Sequence, residues 1–278
     1  MAGPAAEFVA FDLEMTGLSP ADDRIVEVGA VRFDAAGVEL AAFASLINPG
    51  RPSSPAARAI HGIGDEVLAE APGAEVVLPA FVAFLGDPLR TRLLAHGATL
   101  DAGFLGRELI RLGLPLPGHS VVDTLAWSRD RWPALSSYKL GSLATRFGLD
   151  PSGPHRALAD ARRVLGLWRA LRDGDPAGEP PLAYPIFDGR LPPPAPESWT
   201  GVAGAIERVQ DLRIVYEGGS RGPGPRLVTP RGFAHRGGVA YLVAVCHLDD
   251  REKEFRLDRV RRFDIIDRIA GGDAGLGG

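Results

Sequence analysis

The sequence has little of several features that mark particular classes of protein. Cys246 is the only cysteine in 278 residues, which excludes an intrachain disulfide and favours a cytoplasmic protein. No apolar run approaches the roughly 18 residues that a transmembrane helix requires, so we expect no membrane association. The first residues form neither a basic nor an apolar segment, and we therefore expect no secretory signal.

Lysine is scarce as well, and charge is unevenly distributed along the chain. There are 2 Lys against 29 Arg, and the formal net charge is −4. Residues 1–173 carry a net charge of −3, whereas residues 199–269 carry +3. The segment 174–198 holds eight prolines, which remove too many backbone donors for a packed helix or strand. We therefore predict domains over residues 5–173 and 199–269, joined by a semi-rigid linker over residues 174–198.

Residue patterns in the first domain predict an α/β fold. Three β-rich runs separated by turn-forming residues indicate an antiparallel meander, and they cover residues 8–14, 24–33 and 39–47. Helical patterns follow, interrupted by a short apolar run typical of a buried strand, which is the order of an α/β layer fold. The helical patterns cover residues 78–85, 101–112, 140–147 and 156–172, and the apolar run covers residues 92–95.

Several acidic residues are candidates for a metal site. Asp12 and Glu14 are two residues apart on the first predicted strand, so they share a face and repel each other unless a cation lies between them. The alternative for this pair is a strand end exposed to solvent. Asp101 lies on the apolar stripe of its predicted helix, although an aspartate at a helix start is often only an N-cap.

Asp160 is the strongest of these candidates. It lies in line with Val164, Leu167 and Leu171 at helical spacing, on a face where an unpaired carboxylate is costly to bury. His155 is about 140° away around an ideal helix, so it reaches the same site only from the preceding loop. Alternatively, His155 is a solvated loop histidine.

Together these residues suit a two-metal hydrolase. Four hard oxygen ligands favour Mg²⁺ or Mn²⁺ over zinc, and a nearby histidine can take a proton during phosphodiester hydrolysis. The order of the motifs resembles the DEDDh group of 3′–5′ exonucleases, especially the proofreading epsilon subunit of bacterial DNA polymerase III. The resemblance spans residues 5–172, with motifs at residues 11–18, 24–29, 96–105 and 155–161 and further matches at residues 60–63, 122–124 and 138–143.

The resemblance implies an RNase H-like fold and a catalytic set. His155 would deprotonate the attacking water beside carboxylates that hold two Mg²⁺ or Mn²⁺ ions. The carboxylates that it assigns as metal ligands and catalytic residues are Asp12, Glu14, Asp101 and Asp160. The implied reaction releases nucleoside monophosphates from the 3′ end of DNA, preferably single-stranded. Short RNA is an alternative substrate, because residues 12–18 also resemble oligoribonuclease. A non-catalytic nucleic-acid-binding or regulatory module is the alternative from another class.

The resemblance also implies how the substrate is held. The residues that would contact the 3′-terminal nucleotide, through backbone N–H groups and an apolar side chain, are Met15, Thr16, Gly17 and Leu18. His61 would touch the same nucleotide or, alternatively, be a structural histidine. Gly97 stands where the family usually has Asn. Replication, repair and defence proteins are all compatible partners, and the sequence indicates no oligomeric state.

The second domain has the pattern of a small all-β unit. Its strand-like runs cover residues 212–216, 226–230, 239–246 and 254–266. Residues 202–266 resemble the WYL domain, a small SH3-like β-barrel, with matches at residues 212–217, 228–233, 239–244 and 255–260. The resemblance implies binding of nucleic acid or a nucleotide ligand, and an aromatic surface ringed by Arg suits single strands. Our candidates for nucleic-acid contacts are Arg231, Tyr241, Arg256 and Arg259. Alternatively, Tyr241 belongs to the core, and the last two arginines pair with Asp258.

Overall fold

The chain forms two compact units, Met1–Glu197 and Ser198–Gly278, in a computed structural model. The structure describes residues 7–149, 155–173, 180, 182–189, 195–217, 222, 224–236 and 239–267. Among these residues, no helix is both long enough and apolar enough to span a membrane.

The first unit is built on a six-stranded sheet. Its strands are Glu7–Met15 (β1), Ile25–Phe33 (β2), Glu39–Leu46 (β3), Thr91–Ala95 (β4), Ser120–Asp123 (β5) and Ala183–Pro185 (β6). They lie in the order β3-β2-β1-β4-β5-β6. The first three strands pair antiparallel, as the predicted meander requires, and β4 pairs in parallel with β1 and β5. Strand β1 lies inside the sheet between β2 and β4, so residues at its end are surrounded by other elements.

Seven helices of the first unit are described, and they cover this sheet. Their bounds are Pro55–His61 (α1), Asp65–Ala69 (α2), Ala74–Leu85 (α3), Ala98–Arg111 (α4), Thr124–Arg131 (α5), Leu140–Arg146 (α6) and Ala157–Arg172 (α7). Helix α4 begins earlier than its apolar pattern predicts. Gly97 is its N-cap, with a φ of 91°, and Asp101 lies within the first turn. The alternative of Asp101 as an N-cap is therefore wrong.

Helix α7 packs against the face of β1 that carries the two acidic residues. Phe8 on β1 and Phe33 on β2 stack at 5.4 Å between ring centroids, and both contact Trp168 of α7. The opposite face of β1 presents Phe11, which contacts Phe81 of α3 at 6.0 Å. Because side chains alternate along a strand, Asp12 and Glu14 continue the α7-facing row begun by Phe8.

A glycine allows the first turn of α7 to lie directly on the sheet. Gly29 of β2 is the register partner of Asp12. A Cβ at Gly29 would overlap backbone atoms of Ala157 and Leu158 in the first turn of α7. The missing side chain therefore brings that turn, with Asp160 on it, close to Asp12.

Part of the predicted linker belongs to the first unit. Strand β6 lies within residues 174–198 and pairs antiparallel with β5. Tyr184 and Ile186 are buried there, and the backbone of Phe187 packs closely on Gly106 of α4. Arg107 pairs with Asp188 at 3.3 Å. The linker predicted from proline content therefore contains a strand. An edge strand tolerates proline, and Pro185 is the last residue of β6.

The second unit is a five-stranded antiparallel sheet with one described helix. The helix is Thr200–Glu207 (α8), and the strands are Asp211–Tyr216 (β7), Gly224–Arg236 (β8), Val239–Cys246 (β9), Arg251–Arg256 (β10) and Val260–Ile266 (β11). Their order is β10-β9-β8-β7-β11, and among the described residues no pairing joins the two edge strands. The single strand predicted over residues 254–266 is wrong. A 3₁₀ turn at Leu257–Arg259 divides it, because Leu257 and Asp258 turn inward and are buried.

Replacing Gly29 by alanine is expected to lower the free energy of unfolding by about 1–3 kcal/mol, because the new methyl group overlaps the α7 backbone. Urea denaturation measures this. The control is Gly141→Ala in α6, where a Cβ has no atom within 4 Å and is expected to add about 0.5 kcal/mol. Equal effects of the two substitutions would contradict the close packing of α7 on β2.

Candidate active site

Four carboxylates from three elements meet at the end of β1. Glu14 on β1, Asp101 on α4 and Asp160 on α7 are buried, whereas Asp12 is partly exposed. Asp101, Asp160 and Glu14 are all close enough to Asp12 to raise the pKa of its carboxyl group. The structure therefore gathers all four predicted acidic residues at one site.

The position of Asp101 is set by the turn that starts α4. The N–H of Gly97 donates to Asp123 Oδ1 at 3.2 Å. Asp123 also caps α5, accepting from Leu125 N at 2.9 Å and Ala126 N at 3.3 Å. One buried carboxylate thus joins the starts of two helices and fixes the first turn that carries Asp101. Gly97 has a positive φ, a conformation that Asn also adopts more readily than other non-glycine residues.

His155 reaches the site from the loop before α7, as its spacing requires. His155 Nδ1 lies 3.2 Å from Asp160 Oδ2. The imidazole is 58% exposed. On the opposite side, Arg163 Nη1 donates to Asp160 Oδ1 at 2.6 Å from within the same helix. Asp160 is therefore held from two sides.

Burial and repulsion between carboxylates raise the pKa values of Asp12, Glu14 and Asp101. For Asp12, burial raises the pKa well above its usual range, and the carboxylates of Asp101 and Asp160 raise it further. Burial, followed by repulsion from Asp160, raises the pKa of Glu14 to about 8. Burial raises the pKa of Asp101 to about 8, although backbone hydrogen bonds oppose this shift. Such a cluster requires protons or cations among its oxygens.

The donor set fits divalent cations. Glu14, His155 and Asp160 each offer one ligand atom, and these atoms lie within 4.8 Å of one another. Asp12 lies among the same carboxylates and faces partly outward. Oxygen ligands with one imidazole nearby are typical of hard ions such as Mg²⁺ and Mn²⁺.

The loop after β1 presents one exposed apolar side chain beside this site. Leu18 is 77% exposed, whereas Thr16 is buried. The backbone N–H of Thr16 donates to Arg24 O at 2.9 Å, and its hydroxyl donates to Asp23 Oδ1 at 2.9 Å. The N–H of Thr16, which the substrate prediction assigned to the nucleotide, is therefore used within the loop. Within the described residues, no hydrogen bond uses the N–H groups of Gly17 or Leu18.

An ion cluster holds this loop against α4. Glu108, 1% exposed, accepts from Arg24 Nε at 2.5 Å and from Arg111 Nη1 at 2.8 Å. Arg111 also donates to the carbonyl oxygens of Pro20 and Ala21, at 3.0 and 2.6 Å. The loop that carries Leu18 and the helix that carries Asp101 are thus fixed to each other.

Two histidines of the matched motifs are ordered by specific hydrogen bonds. His61 Nδ1 accepts from Ile63 N at 3.0 Å, which places the proton on Nε2, a buried atom without a partner among the described residues. Burial lowers the pKa of His96 to about 4, so its imidazole is neutral. His96 Nε2 donates to Tyr138 O at 2.8 Å, and Nδ1 lies 3.1 Å from Thr124 Oγ1.

The sequence analysis missed a second layer of charged residues around the site. Glu27 is buried on β2 opposite Glu14, and it pairs with Arg156 at 2.8 Å. Arg163, which holds Asp160, and Asp123 were missed as well. Glu27 lies in an apolar run within a matched motif. A charged residue in a run that predicts a buried strand indicates a buried ionic partner, and this signal could have identified Glu27.

In the second unit, Tyr241 and Arg256 are direct register partners on β9 and β10. Tyr241 is half-buried on the outward row of β9, opposite the buried Leu242 and Ala244. The alternative of Tyr241 as a core residue therefore fails on geometry.

The arginines near Tyr241 differ in how they are held. Arg256 donates to both oxygens of the buried Asp258, at 3.0 and 2.6 Å, as the pairing alternative predicted. Arg231 and Arg259 are exposed. Of the three candidate arginines, these two are therefore the ones whose charge is not taken up by Asp258.

Two family models match the chain. Residues 9–167 match the RNase T family, described as exonuclease, and residues 197–265 match the WYL domain. The chain belongs to this exonuclease family.

Curated relatives agree with the exonuclease assignment. The DNA polymerase III subunit epsilon of Treponema pallidum is 39% identical over 166 residues, which cover 59% of this chain and 75% of that protein. The PolC-type DNA polymerase III of Halalkalibacterium halodurans is 36% identical over 169 residues, 60% of this chain. The chain spans only 12% of the length of that polymerase.

Solved structures share the fold of this chain. A zinc-bound crystal structure of E. coli exonuclease I with single-stranded DNA has a TM-score of 0.61 at 16% identity, covering 87% of this chain and 55% of that one. An apo structure of exonuclease I also has a TM-score of 0.61, at 15% identity, over 92% of this chain and 63% of that one. These likenesses confirm the predicted RNase H-like α/β fold class.

The metal-free protein is expected to lose stability as pH rises from about 5 to about 8. The pKa values of Glu14 and Asp101 are raised, from 4.5 and 3.8 respectively to about 8, so the folded state binds more protons than the unfolded state across this interval. The free energy of unfolding therefore falls with pH. Mn²⁺ is expected to raise the melting temperature more at the upper end, because it binds deprotonated carboxylates.

Thermal unfolding with EDTA or Mn²⁺ across this pH range measures both effects. Glu14→Gln should flatten the metal-free profile, whereas Glu39→Gln, at an exposed position on β3, should leave it unchanged. A profile equally steep in Glu14→Gln and in the native protein would contradict the assignment of the slope to this cluster.

Proposed function

We propose that this chain is a metal-dependent 3′–5′ exonuclease that releases nucleoside monophosphates from single-stranded DNA. The observation that carries the proposal is the convergence of Asp12, Glu14, Asp101 and Asp160 from β1, α4 and α7, with His155 hydrogen-bonded to Asp160. Membership of the exonuclease family and the 39% sequence identity to a polymerase III epsilon subunit support the proposal.

The carboxylates would hold two Mg²⁺ or Mn²⁺ ions. When bound, these ions would supply Lewis-acid activation of a water and would stabilise charge on the leaving 3′ oxygen. Asp12 would be one of the ligands, because it lies among the other three carboxylates. Glu14, Asp101 and Asp160 complete the set.

His155 is the proposed general base. A carboxylate accepts hydrogen bonds only, so Asp160 orients the ring with the proton on Nδ1. Nε2 then carries the lone pair that can accept a proton from the attacking water, and the imidazole is exposed enough for water to approach it.

The loop after β1 is the proposed site for the terminal nucleotide. The exposed Leu18 offers an apolar surface for a base, and the N–H groups of Gly17 and Leu18 are donors for the nucleotide. His61 Nε2 is buried in this structure, so a contact between His61 and the nucleotide stays a prediction from the resemblance. These groups recognise features that DNA and RNA share, so exoribonuclease activity on short RNA is the alternative that a substrate comparison tests.

The WYL domain is the proposed strand-binding unit. Tyr241 offers a half-buried ring for stacking, and Arg231 and Arg259 offer exposed charge for phosphates. Neutralisation of Arg256 by Asp258 makes it a support for Tyr241 in this scheme. A cytoplasmic location and replication, repair or defence partners remain predictions from the sequence.

Asp12→Asn is expected to abolish mononucleotide release from a 3′-labelled single-stranded DNA oligomer in Mn²⁺, because it removes the central ligand. His155→Ala is expected to lower kcat by about 10²–10⁴-fold, the usual contribution of a general base. Arg162→Gln, at an exposed position on α7, is the control. Release from an RNA oligomer alone would transfer the proposal to RNA, and native activity in Asp12→Asn would contradict the site.

The double substitution Arg231→Ala, Arg259→Ala is expected to weaken binding of long single strands but to spare dinucleotide cleavage. Each lost phosphate contact should lower the slope of log affinity against log salt by about 0.7. Fluorescence anisotropy in the Asp12→Asn background measures the binding slope without cleavage. Dinucleotide cleavage is measured in the chain that retains Asp12. Arg162→Ala is the matched control on the first unit. An unchanged slope would exclude these arginines from the interface.

A further inference from the structure

Helix α7 begins without a cap from its own sequence. Its N-cap residue is Arg156, which makes no side-chain cap hydrogen bond. The first N–H groups of a helix have no partner within the helix, so a start that is buried against a sheet needs an acceptor from elsewhere. This start matters because His155 directly precedes it and Asp160 lies on its first turn.

The acceptor is supplied by the neighbouring strand β2. Glu27 Oε2 accepts from Ala157 N at 3.0 Å. The same carboxylate accepts from Arg156 Nε at 3.0 and 3.1 Å and from Arg156 Nη2 at 2.8 Å. Glu27 is only 4% exposed. Both of its oxygens nevertheless have partners, which are two consecutive residues at the helix start.

We propose that Glu27 and Arg156 are positioning residues for His155, because their pairing fixes the backbone from which the imidazole projects. The inference rests on the role of His155 proposed above. Bidentate contacts restrict both the distance and the orientation of the two groups, which a single contact does not. Gly29, two residues along β2, lets the same turn lie on the strand, so the backbone after His155 is held at two adjacent points.

The chain contains a matched control for this pairing. Arg162 on α7 pairs with Glu39 on β3 through two contacts, at 3.2 and 2.9 Å. This pair also joins α7 to the sheet through an Arg–Glu fork, but it is exposed and lies beyond Asp160. Loss of either fork removes one helix-to-sheet contact, and only the Glu27–Arg156 fork adjoins His155.

The test uses the full chain and compares Arg156→Gln, Glu27→Gln and Arg162→Gln, each alone and with His155→Ala. Mononucleotide release from single-stranded DNA in Mn²⁺ gives kcat and KM, and thermal unfolding reports on the fold. Arg156→Gln is expected to lower kcat by about tenfold to a hundredfold with KM within about twofold. Glu27→Gln should lose less, because its amide oxygen still accepts from Ala157 N. Arg156→Lys should recover part of the loss.

The decisive comparison is made in the His155→Ala background. There Arg156→Gln should change kcat by less than about twofold, because residues that act through one group are not additive. Equal losses with and without His155, a rise in KM alone, or native kcat in Arg156→Gln would each overturn the inference. Native kcat in His155→Ala alone would overturn the proposed role of His155 as well, so the two failures are distinguishable.

Discussion

Repulsion among carboxylates is the constraint around which the first unit is organised. Asp12, Glu14, Asp101 and Asp160 lie together in a site whose burial raises the pKa values of the first three. Cations compensate this repulsion only if the backbone holds the oxygens in place before they bind. Buried charge pairs and the close approach of α7 to β2 supply that rigidity. The buried carboxylates lower the stability of the metal-free state as pH rises.

The supporting contacts follow one pattern. Each element that carries an acidic residue is fixed by a charged or polar group from another element: Glu27 holds the start of α7, Asp123 joins α4 to α5, and Glu108 holds the loop after β1. In every case a buried carboxylate accepts hydrogen bonds from backbone N–H groups or from arginine. Such contacts are directional, so they fix orientation as well as distance.

The second unit uses the same chemistry for another purpose. The buried Asp258 accepts from Arg256. The charge of Arg256, which the sequence analysis assigned to nucleic acid, is therefore neutralised within the fold. Arg231 and Arg259 are exposed, and Tyr241 lies on the outward row of β9. Composition alone cannot separate these cases, because an arginine two residues from an aspartate looks the same whether the acid is buried or exposed.

Local patterns in the sequence determined the α/β class, the meander, the helix of residues 156–172 and the four acidic residues with His155. These features depend on periodicity and motif order, which a linear chain displays directly. The start of α4, the strand within the proline-rich segment and the break between β10 and β11 were decided by packing between distant residues. Tertiary structure alone also brought Glu27 to Arg156, across 129 positions of the chain. Their contact depends on how β2 and α7 are placed in space, which neither local pattern specifies.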